Sequence, residues 1–237
     1  MPKLSQRLFK LAQMVPRGAR VADIGTDHAL LPCYLVKEKI SPYVIGGEVK
    51  KGPYEKAYST VNKYNLLEQI ELRLGDGLTV LKPGEVNAVL LAGMGGAVIC
   101  NILEQSPQVL FSLDKIIVQP MRNVAHVRLW LVEHGWSFSE EELIYEDKQY
   151  YQLFSAIQTK EKPLSLSEVE ATYGPFLLQK KHPLLFSLVE KDLEGWQEIL
   201  SELAKSNKAE AKISLKKYQE KVQKLKELKE WLLAAKP

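Results

Sequence analysis

Short apolar runs alternate with amphipathic segments through the first 160 residues, and this alternation constrains the fold more than any other feature of the chain. The runs are rich in Val, Ile and Leu, and most end at Gly or Pro, as buried parallel strands do. They span residues 20–25, 43–48, 70–75, 86–93 and 115–120. Apolar residues three and four positions apart predict helices between them, over 30–39, 52–64, 97–105 and 124–134. The pattern therefore predicts an α/β domain with a parallel sheet and right-handed crossovers.

After Gly135 strand-like segments follow one another without a helix between them. They span 136–139, 142–146 and 150–158, and only residues 147–149 separate the last two. So short a connection joins antiparallel neighbours. We therefore expect a terminal hairpin that places an antiparallel strand at one end of the sheet.

The last part of the chain predicts a second domain. Twelve of the 14 glycines lie between Gly18 and Gly135, so a loop-rich body precedes a loop-poor tail. The polar, proline-broken segment around Pro163 predicts a linker, and two apolar stripes beyond it predict two antiparallel helices in a coiled-coil hairpin, separated by residues 205–208. The stripes consist of Leu185, Val189, Leu193, Trp196, Leu200 and Leu203, and of Tyr218, Val222, Leu225, Leu228 and Leu232. We expect domains at 1–160 and 161–237.

The formal net charge of +3 comes from this tail. Residues 160–237 carry 15 Lys, no Arg and 12 acidic residues, and residues 208–229 hold eight Lys against three Glu. Such a run is either a solvated helix face or a lysine stripe that follows a phosphate backbone.

Composition excludes several classes of protein. With 46% hydrophobic and 26% charged residues, the composition is typical of a globular protein. Cys33 and Cys100 stand apart in apolar surroundings, which argues against a disulfide framework or a zinc site and predicts reduced core thiols. The N-terminus lacks the features of a signal peptide, and no apolar run reaches the roughly 20 residues that span a bilayer. We therefore expect a cytoplasmic protein that binds neither metal nor membrane.

Acidic residues stand where the predicted strands end. Asp23 and Asp27 flank Gly25 after the first strand, Glu48 ends the second and Asp76 follows the third. Ligands of open α/β sheets bind at these carboxyl ends. A dinucleotide fingerprint needs glycine where Asp27 stands, so NAD and FAD are disfavoured. A single acid of this kind is commonly a cap or turn residue, but the shared register favours a binding site.

These acids suit a nucleoside that carries positive charge and no phosphate. Glu48 can accept both ribose hydroxyls, and Asp76 can accept the exocyclic amine of adenine. S-adenosylmethionine, which leaves S-adenosylhomocysteine as product, fits this description. The small residues of Ala92–Gly96, after the fourth strand, permit close approach of a flat substrate. The expected cofactor contacts are Asp23, Ile24, Gly25, Thr26, Asp27, Glu48, Val49, Asp76, Gly77, Ala92 and Gly93.

Several motifs in this order resemble the bacterial tRNA (adenine(22)-N1)-methyltransferase family. They are DIGTDHALLP at 23–32, GEV at 47–49 with GP at 52–53, RLGDGL at 73–78 and LAGMGG at 91–96, followed by Gln119-Pro120. The resemblance implies a Rossmann-like class I methyltransferase sheet, S-adenosylmethionine as methyl donor, adenine N1 of tRNA as acceptor and a coiled-coil C-terminal domain involved with tRNA. Ala92–Gly95 stands where most adenine amino-methyltransferases carry Asn/Asp-Pro-Pro-aromatic, which argues against methylation of the amino group.

Adenine N1 has an in-plane lone pair and can attack the methyl group directly, so the enzyme mainly orients and desolvates. A carboxylate beside the methyl donor can stabilise the cationic product or take its amino proton, and Asp27 is the candidate. His28 is a rival base, although a capping or packing role for it is favoured. Substrate contacts are expected at His28, Met94, Gly95, Arg7 and Arg128.

Two other functions stay open on the sequence alone. A small-molecule methyltransferase could use the same cofactor site, with the basic tail serving dimerisation. A non-catalytic RNA-binding module could keep a relic nucleoside pocket, although the acids at three strand ends weigh against this. No obligate protein partner is inferred.

Overall fold

The computed structural model describes residues 2–159, 165–205 and 209–234. The chain divides into two compact units, Met1–Phe176 and Leu177–Pro237. The predicted boundary at residue 160 therefore falls earlier than the end of the first unit, which also includes the short helix α7 (Glu168–Tyr173). The centre of the predicted linker, 160–164, and most of the predicted break between the last helices, 206–208, lie outside the described residues.

The first unit contains a seven-stranded sheet in the order β3-β2-β1-β4-β5-β7-β6. Strands β1 to β5 are parallel, and β7 runs antiparallel to both β5 and β6. The strands are β1 (Val21–Ile24), β2 (Val44–Glu48), β3 (Ile70–Leu74), β4 (Ala88–Gly95), β5 (Lys115–Arg122), β6 (Trp136–Glu146) and β7 (Gln149–Gln158). The prediction of a parallel sheet with an antiparallel terminal strand is confirmed.

Helices cover both faces of this sheet. They are α1 (Gln6–Met14), α2 (Leu30–Lys37), α3 (Lys51–Lys63), α4 (Gly96–Glu104), α5 (Pro107–Phe111) and α6 (Val124–Glu133). Alternate residues of β1 belong to different cores: Val21 packs in one hydrophobic cluster, while Ala22 and Ile24 pack in the other. Two buried faces explain why the strands read as continuous apolar runs.

Three local features differ from the sequence prediction. Residues 136–139 and 142–146 form one strand, β6, whose pairing with β7 shifts between Phe138 and Glu140. Neither the 3-10 turn Gly77–Val80 nor the five-residue helix α5 was expected. The hairpin turn between β6 and β7 is confirmed, and its residues Asp147 and Lys148 adopt positive φ angles.

Both cysteines are buried and free, as predicted. Burial raises the pKa of the Cys33 thiol and of the Cys100 thiol to about 11. A thiol in that state is a weak nucleophile and behaves as a small apolar group.

A buried ion pair attaches α7 to α6 and β6. Arg128 of α6 is wholly buried, and its Nε donates to Glu141 Oε1 at 2.8 Å. Its Nη1 donates to the carbonyl oxygen of Ala171 at 3.0 Å, and its guanidinium lies 4.5 Å from the centre of the Phe154 ring. The expectation that Arg128 contacts substrate is wrong, because the surrounding elements exclude any ligand from this side chain.

Gly174 follows α7 and completes the enclosure of the pair. Its φ angle is +89°, and a Cβ at this position would collide with the side chains of Glu141 and Arg128. Glycine is therefore required here for both conformation and space.

The second unit is a hairpin of α9 (Leu185–Ala204) and α10 (Ala209–Leu233), preceded by α8 (Pro175–Gln179), which crosses the unit boundary. The contacts between α9 and α10 follow an antiparallel order. Trp196 stacks on Tyr218 with ring centroids 5.2 Å apart, and Lys229 Nζ lies 2.7 Å from Glu190 Oε1. The buried apolar residues of α9 and α10 are Leu185, Leu188, Val189, Leu193, Val222, Leu225, Leu228 and Leu232. Across the described parts of the chain, no helix is long and apolar enough to cross a membrane.

We expect the buried ion pair to contribute strongly to stability. Glu141→Leu leaves the Arg128 charge buried without its counter-ion, so the free energy of unfolding should fall by about 3–5 kcal/mol in urea denaturation. Glu55→Gln is the control, because it removes the exposed pair with Lys51 and should change stability by at most about 0.5 kcal/mol. A loss for Glu141→Leu as small as that of the control would contradict this role.

Candidate active site

The site lies at the carboxyl ends of three adjacent strands. β1 pairs with β2 on one side and with β4 on the other, so the loops that follow these strands meet. Crevices of this kind, where the strand order reverses, are the usual ligand sites of open α/β sheets.

The loop after β1 turns at Gly25. Gly25 has a φ angle of +76°, and its N–H donates to the carbonyl oxygen of Gly47 at 2.8 Å. A Cβ at Gly25 would collide with the terminal methyl group of Met94. The positive φ angle favours glycine at this position, and the methyl end of the flexible Met94 side chain fills the space beside it.

Asp23, at the end of β1, is buried and accepts a 2.8 Å hydrogen bond from the Thr26 hydroxyl. Burial raises the pKa of Asp23 to about 6; the Thr26 hydrogen bond opposes this rise, and the negative charge of Glu48 adds to it. A positively charged group close to Asp23 would favour its ionised form.

The Glu48 carboxylate connects the loops after β1 and β2. Its Oε2 accepts from the main-chain N–H of Asp27 at 3.3 Å, and its Oε1 accepts from those of Val49 and Lys50 at 3.0 and 3.1 Å. Asp76 lies one strand further, is exposed, and precedes the 3-10 turn. The N–H of Gly75 donates to the Glu48 carbonyl oxygen at 2.9 Å, which holds the ends of β2 and β3 together.

A cleft of about 270 Å³ opens between α1, the first loop and the end of β4. Its lining residues are Arg7, Leu8, Asp23, Gly25, Thr26, Asp27, His28, Leu30, Leu31, Ala92 and Gly93. The structure thus brings together eight of the expected site residues, and Glu48 and Val49 lie beside them. No group of side chains suited to a metal ion occurs within the portion of the chain that is described.

Asp27 and His28 stand at the rim of this cleft. Asp27 has a φ angle of 43°, and its side chain is 59% exposed. His28 Nε2 lies 3.6 Å from Asp27 Oδ2. Both groups are therefore accessible to a substrate that enters from solvent.

Four expected residues have mainly structural surroundings. The Ile24 side chain is in the core, so only its backbone faces the loop. Gly77 packs where a Cβ would press on Ile102, and Met94 packs against Gly25. Gly95 caps α4 and lies beside the Arg122 side chain.

Sequence reasoning missed Gln119 as a site residue. It is wholly buried on β5, and its Oε1 accepts from Arg7 Nη1 at 2.5 Å and from the Gly93 N–H at 3.2 Å. The sequence gives one indication of this role, which is that a glutamine directly follows the apolar residues 116–118 of a predicted buried strand. A buried amide needs hydrogen-bond partners, so a glutamine in that position predicts polar neighbours.

Comparisons with known proteins agree on one family. The family model described as tRNA (adenine(22)-N(1))-methyltransferase matches residues 21–227. The tRNA (adenine(22)-N(1))-methyltransferase of Bacillus subtilis is 34% identical over 231 residues, which cover 95% of this chain and 97% of the relative.

Two solved structures are similar over nearly the full length. The crystal structure of the B. subtilis tRNA methyltransferase TrmK has a TM-score of 0.89 at 34% identity, covering 97% of this chain and all of the other. Streptococcus pneumoniae Sp1610 in complex with S-adenosyl-L-methionine has a TM-score of 0.86 at 30% identity, covering 96% of this chain and all of the other.

The raised pKa of Asp23 predicts a pH dependence of stability without any ligand. The folded protein holds this proton more tightly than the unfolded chain, so the associated stability is full below about pH 4 and is lost as the pH rises to about 6. Asp23→Asn removes that loss, and at pH 7 it should be more stable than wild type by up to about 3 kcal/mol. Urea unfolding between pH 4 and 7 measures this difference.

Asp76→Asn provides the matched control, because the Asp76 carboxyl group is exposed. If Asp23→Asn kept the wild-type dependence of stability on pH between 4 and 6, the prediction would be wrong.

Proposed function

The chain belongs to the tRNA (adenine(22)-N(1))-methyltransferase family, and on that premise we propose that it transfers a methyl group from S-adenosylmethionine to N1 of an adenine, at position 22, in tRNA. The observation that carries the proposal is the arrangement of acids around the cleft. Asp23 lies at the end of β1 and Asp27 follows that strand, Glu48 ends β2, and Asp76 follows β3 at the next strand end. Relatives of this fold and sequence are methyltransferases.

The residues present fit S-adenosylmethionine, which supplies an electrophilic methyl group when bound. Glu48 lies where its carboxylate can accept the ribose hydroxyls, and Asp76 lies one strand further, where it can accept the adenine amine. Val49 is 58% exposed beside Glu48 and offers an apolar face to the adenine ring. The closely packed Gly25 leaves the backbone of the first loop open to the ligand.

Asp27 is the candidate catalytic residue. The target nitrogen attacks with its own lone pair, so the protein does not need to activate it, but the product ring is cationic and its amino group becomes acidic. The Asp27 carboxylate is exposed at the cleft rim and can stabilise that charge or accept the proton. His28 lies within 3.6 Å and can orient the carboxylate.

The acceptor base is placed on the side of Met94 and Gly95. N1 lies on the pairing edge of adenine, so the base must leave its stack before it can react. Gly93, with a φ angle of +76°, and Gly95 add no side chains of their own on this side of the cleft, where the Arg7 and Arg122 side chains lie beside them. Small residues here favour in-plane approach of the ring nitrogen.

RNA binding by the second unit belongs to the same proposal. Lys216, Lys217 and Lys226 are exposed on α10, which buries Val222, Leu225, Leu228 and Leu232. Lysines along one helix of a coiled-coil hairpin suit the phosphate backbone of a folded RNA in the cytoplasm, with no obligate protein partner.

Mass mapping of tRNA after incubation with the protein and labelled S-adenosylmethionine tests the proposed function. We expect one methyl group on adenine 22, and none with Glu48→Ala at low cofactor concentration, because charge-assisted hydrogen bonds to the ribose are lost. Methylation of a different nucleoside, or label found only in small molecules, would contradict the proposal.

We expect Asp27→Ala to lower turnover about 10²- to 10⁴-fold, with little change in tRNA binding. The main-chain N–H that reaches Glu48 does not depend on the side chain. Asp27→Asn is the sharper variant, because Asn tolerates the positive φ angle and removes only the charge. Single-turnover kinetics measure the effect, and retention of most activity in Asp27→Asn would show that no carboxylate is needed.

Replacement of Lys216, Lys217 and Lys226 together by Gln should weaken tRNA binding and reduce its dependence on salt. Each lost phosphate contact lowers the slope of log K against log salt by about 0.7–0.9. In the control variant, three exposed lysines of the first unit, Lys37, Lys39 and Lys63, are replaced by Gln, so the same number of charges is lost. An unchanged slope in the α10 variant would mean that these lysines form only a solvated face.

A further inference from the structure

Arg7 is a cation within an otherwise acidic cleft. Its side chain is half-buried and lines the cleft together with Asp23 and Asp27. Its contacts are with a neutral amide, Gln119, and with the ring of Tyr151, whose centre lies 5.2 Å from the guanidinium carbon. In the described ranges no carboxylate forms an ion pair with it. Its charge is therefore available to an anion.

Gln119 fixes the position of that guanidinium. Its amide is wholly buried and uses all of its hydrogen-bonding capacity: Oε1 accepts from Arg7 Nη1 and the Gly93 N–H, while Nε2 donates to the Pro120 carbonyl oxygen at 3.1 Å and to Met121 Sδ at 3.4 Å. A flipped amide would direct its N–H groups at two other donors. The orientation of Gln119 is thus determined by its neighbours.

An amide at position 119 has an electrostatic consequence. A glutamate there would accept the same two donors, but it would neutralise the Arg7 guanidinium and set its second carboxylate oxygen, an acceptor, against the Pro120 carbonyl oxygen. Glutamine orients the guanidinium without neutralising it. This arrangement positions a cation for an incoming anion.

The surroundings of Arg7 indicate what kind of anion it receives. Asp23 and Asp27 line the same cleft, so a bare phosphate there would be repelled by two carboxyl groups. An α-amino acid group carries its own ammonium ion, which suits the acidic residues, and a carboxylate, which suits Arg7. A zwitterion therefore matches the distribution of charge, and a phosphodiester does not.

We propose that Arg7, held by Gln119, binds the carboxylate at the amino-acid end of S-adenosylmethionine, so that Gln119 acts as a positioning residue for cofactor binding. The assignment rests on the proposed function, because it requires S-adenosylmethionine as the ligand. It replaces the sequence-based expectation that Arg7 contacts substrate.

The test compares S-adenosylmethionine with its decarboxylated form, which keeps the sulfonium and the amine, by calorimetry on the full-length protein. Wild type should prefer the carboxylated ligand. Arg7→Gln should weaken S-adenosylmethionine binding about 10- to 100-fold and leave binding of the decarboxylated form unchanged within about twofold. Arg7→Lys should retain part of the preference, because it keeps the charge but loses the planar fork.

Lys10→Gln is the matched control. It removes a positive charge from the same helix, where Lys10 pairs with Glu142 3.4 Å away on β6, and it should affect neither ligand. Gln119→Glu should reduce the preference for the carboxylated ligand through Arg7, whereas Gln119→Met should disturb the position of the guanidinium and keep its charge. Thermal unfolding of each variant checks that the buried position tolerates the change.

Three results would overturn the assignment. Equal weakening of both ligands by Arg7→Gln would mean that Arg7 only shapes the cleft. Arg7 would instead contact an RNA phosphate if the variant bound cofactor normally but bound tRNA more weakly, with the slope of log K against log salt lower by about 0.7–0.9. Absence of S-adenosylmethionine binding in wild type would reject the proposed function and this assignment together, whereas the first two results leave the proposed function intact.

Discussion

The close packing of the β1 loop on the end of β4 is the constraint on which the site depends. Because β1 lies between β2 and β4, its loop has to turn within the space that Gly25 and Met94 leave. Asp23 is buried just before that turn, and Asp27 lies after it at the rim of the cleft. The turn also directs the Asp27 N–H to Glu48. The ends of β1 and β2 and the turn at Gly25 therefore together set the relative positions of three acids.

The acidic residues of the site and the arginine of its cleft, Arg7, are held in opposite ways. The acids of the cleft lie close together, and the pKa of Asp23 rises to about 6 because burial and Glu48 both disfavour its charge. The cation Arg7 is held by a neutral amide, not by a carboxylate. Both arrangements leave charge unsatisfied within the protein, which is a cost to stability and an advantage for binding a charged ligand.

Arg128 shows the contrary case, in which charge serves structure. Its ion pair with Glu141 and its hydrogen bond to a carbonyl oxygen of α7 hold the guanidinium inside the protein, where Nη2 has no hydrogen-bond partner among the described residues. Arg7 and Arg128 are both arginines on helices of the first unit, and both were expected to contact substrate. They differ in what covers them: Arg7 borders an open cleft, whereas α7 and Gly174 close over Arg128.

The sequence by itself determined the order and type of the main strands and helices, because a sheet buried on both faces imposes local patterns that can be read within a few residues. It also predicted that Asp23, Asp27 and Glu48 lie near one another, as they do in the structure, since parallel strands bring their carboxyl ends to one edge. Only the tertiary structure decided which charged side chains face the cleft. Arg7 and Gln119 are 112 residues apart, and the burial of Arg128 depends on a helix that follows it by about 40 residues. Such contacts are non-local, and no local pattern of hydrophobicity or charge encodes them.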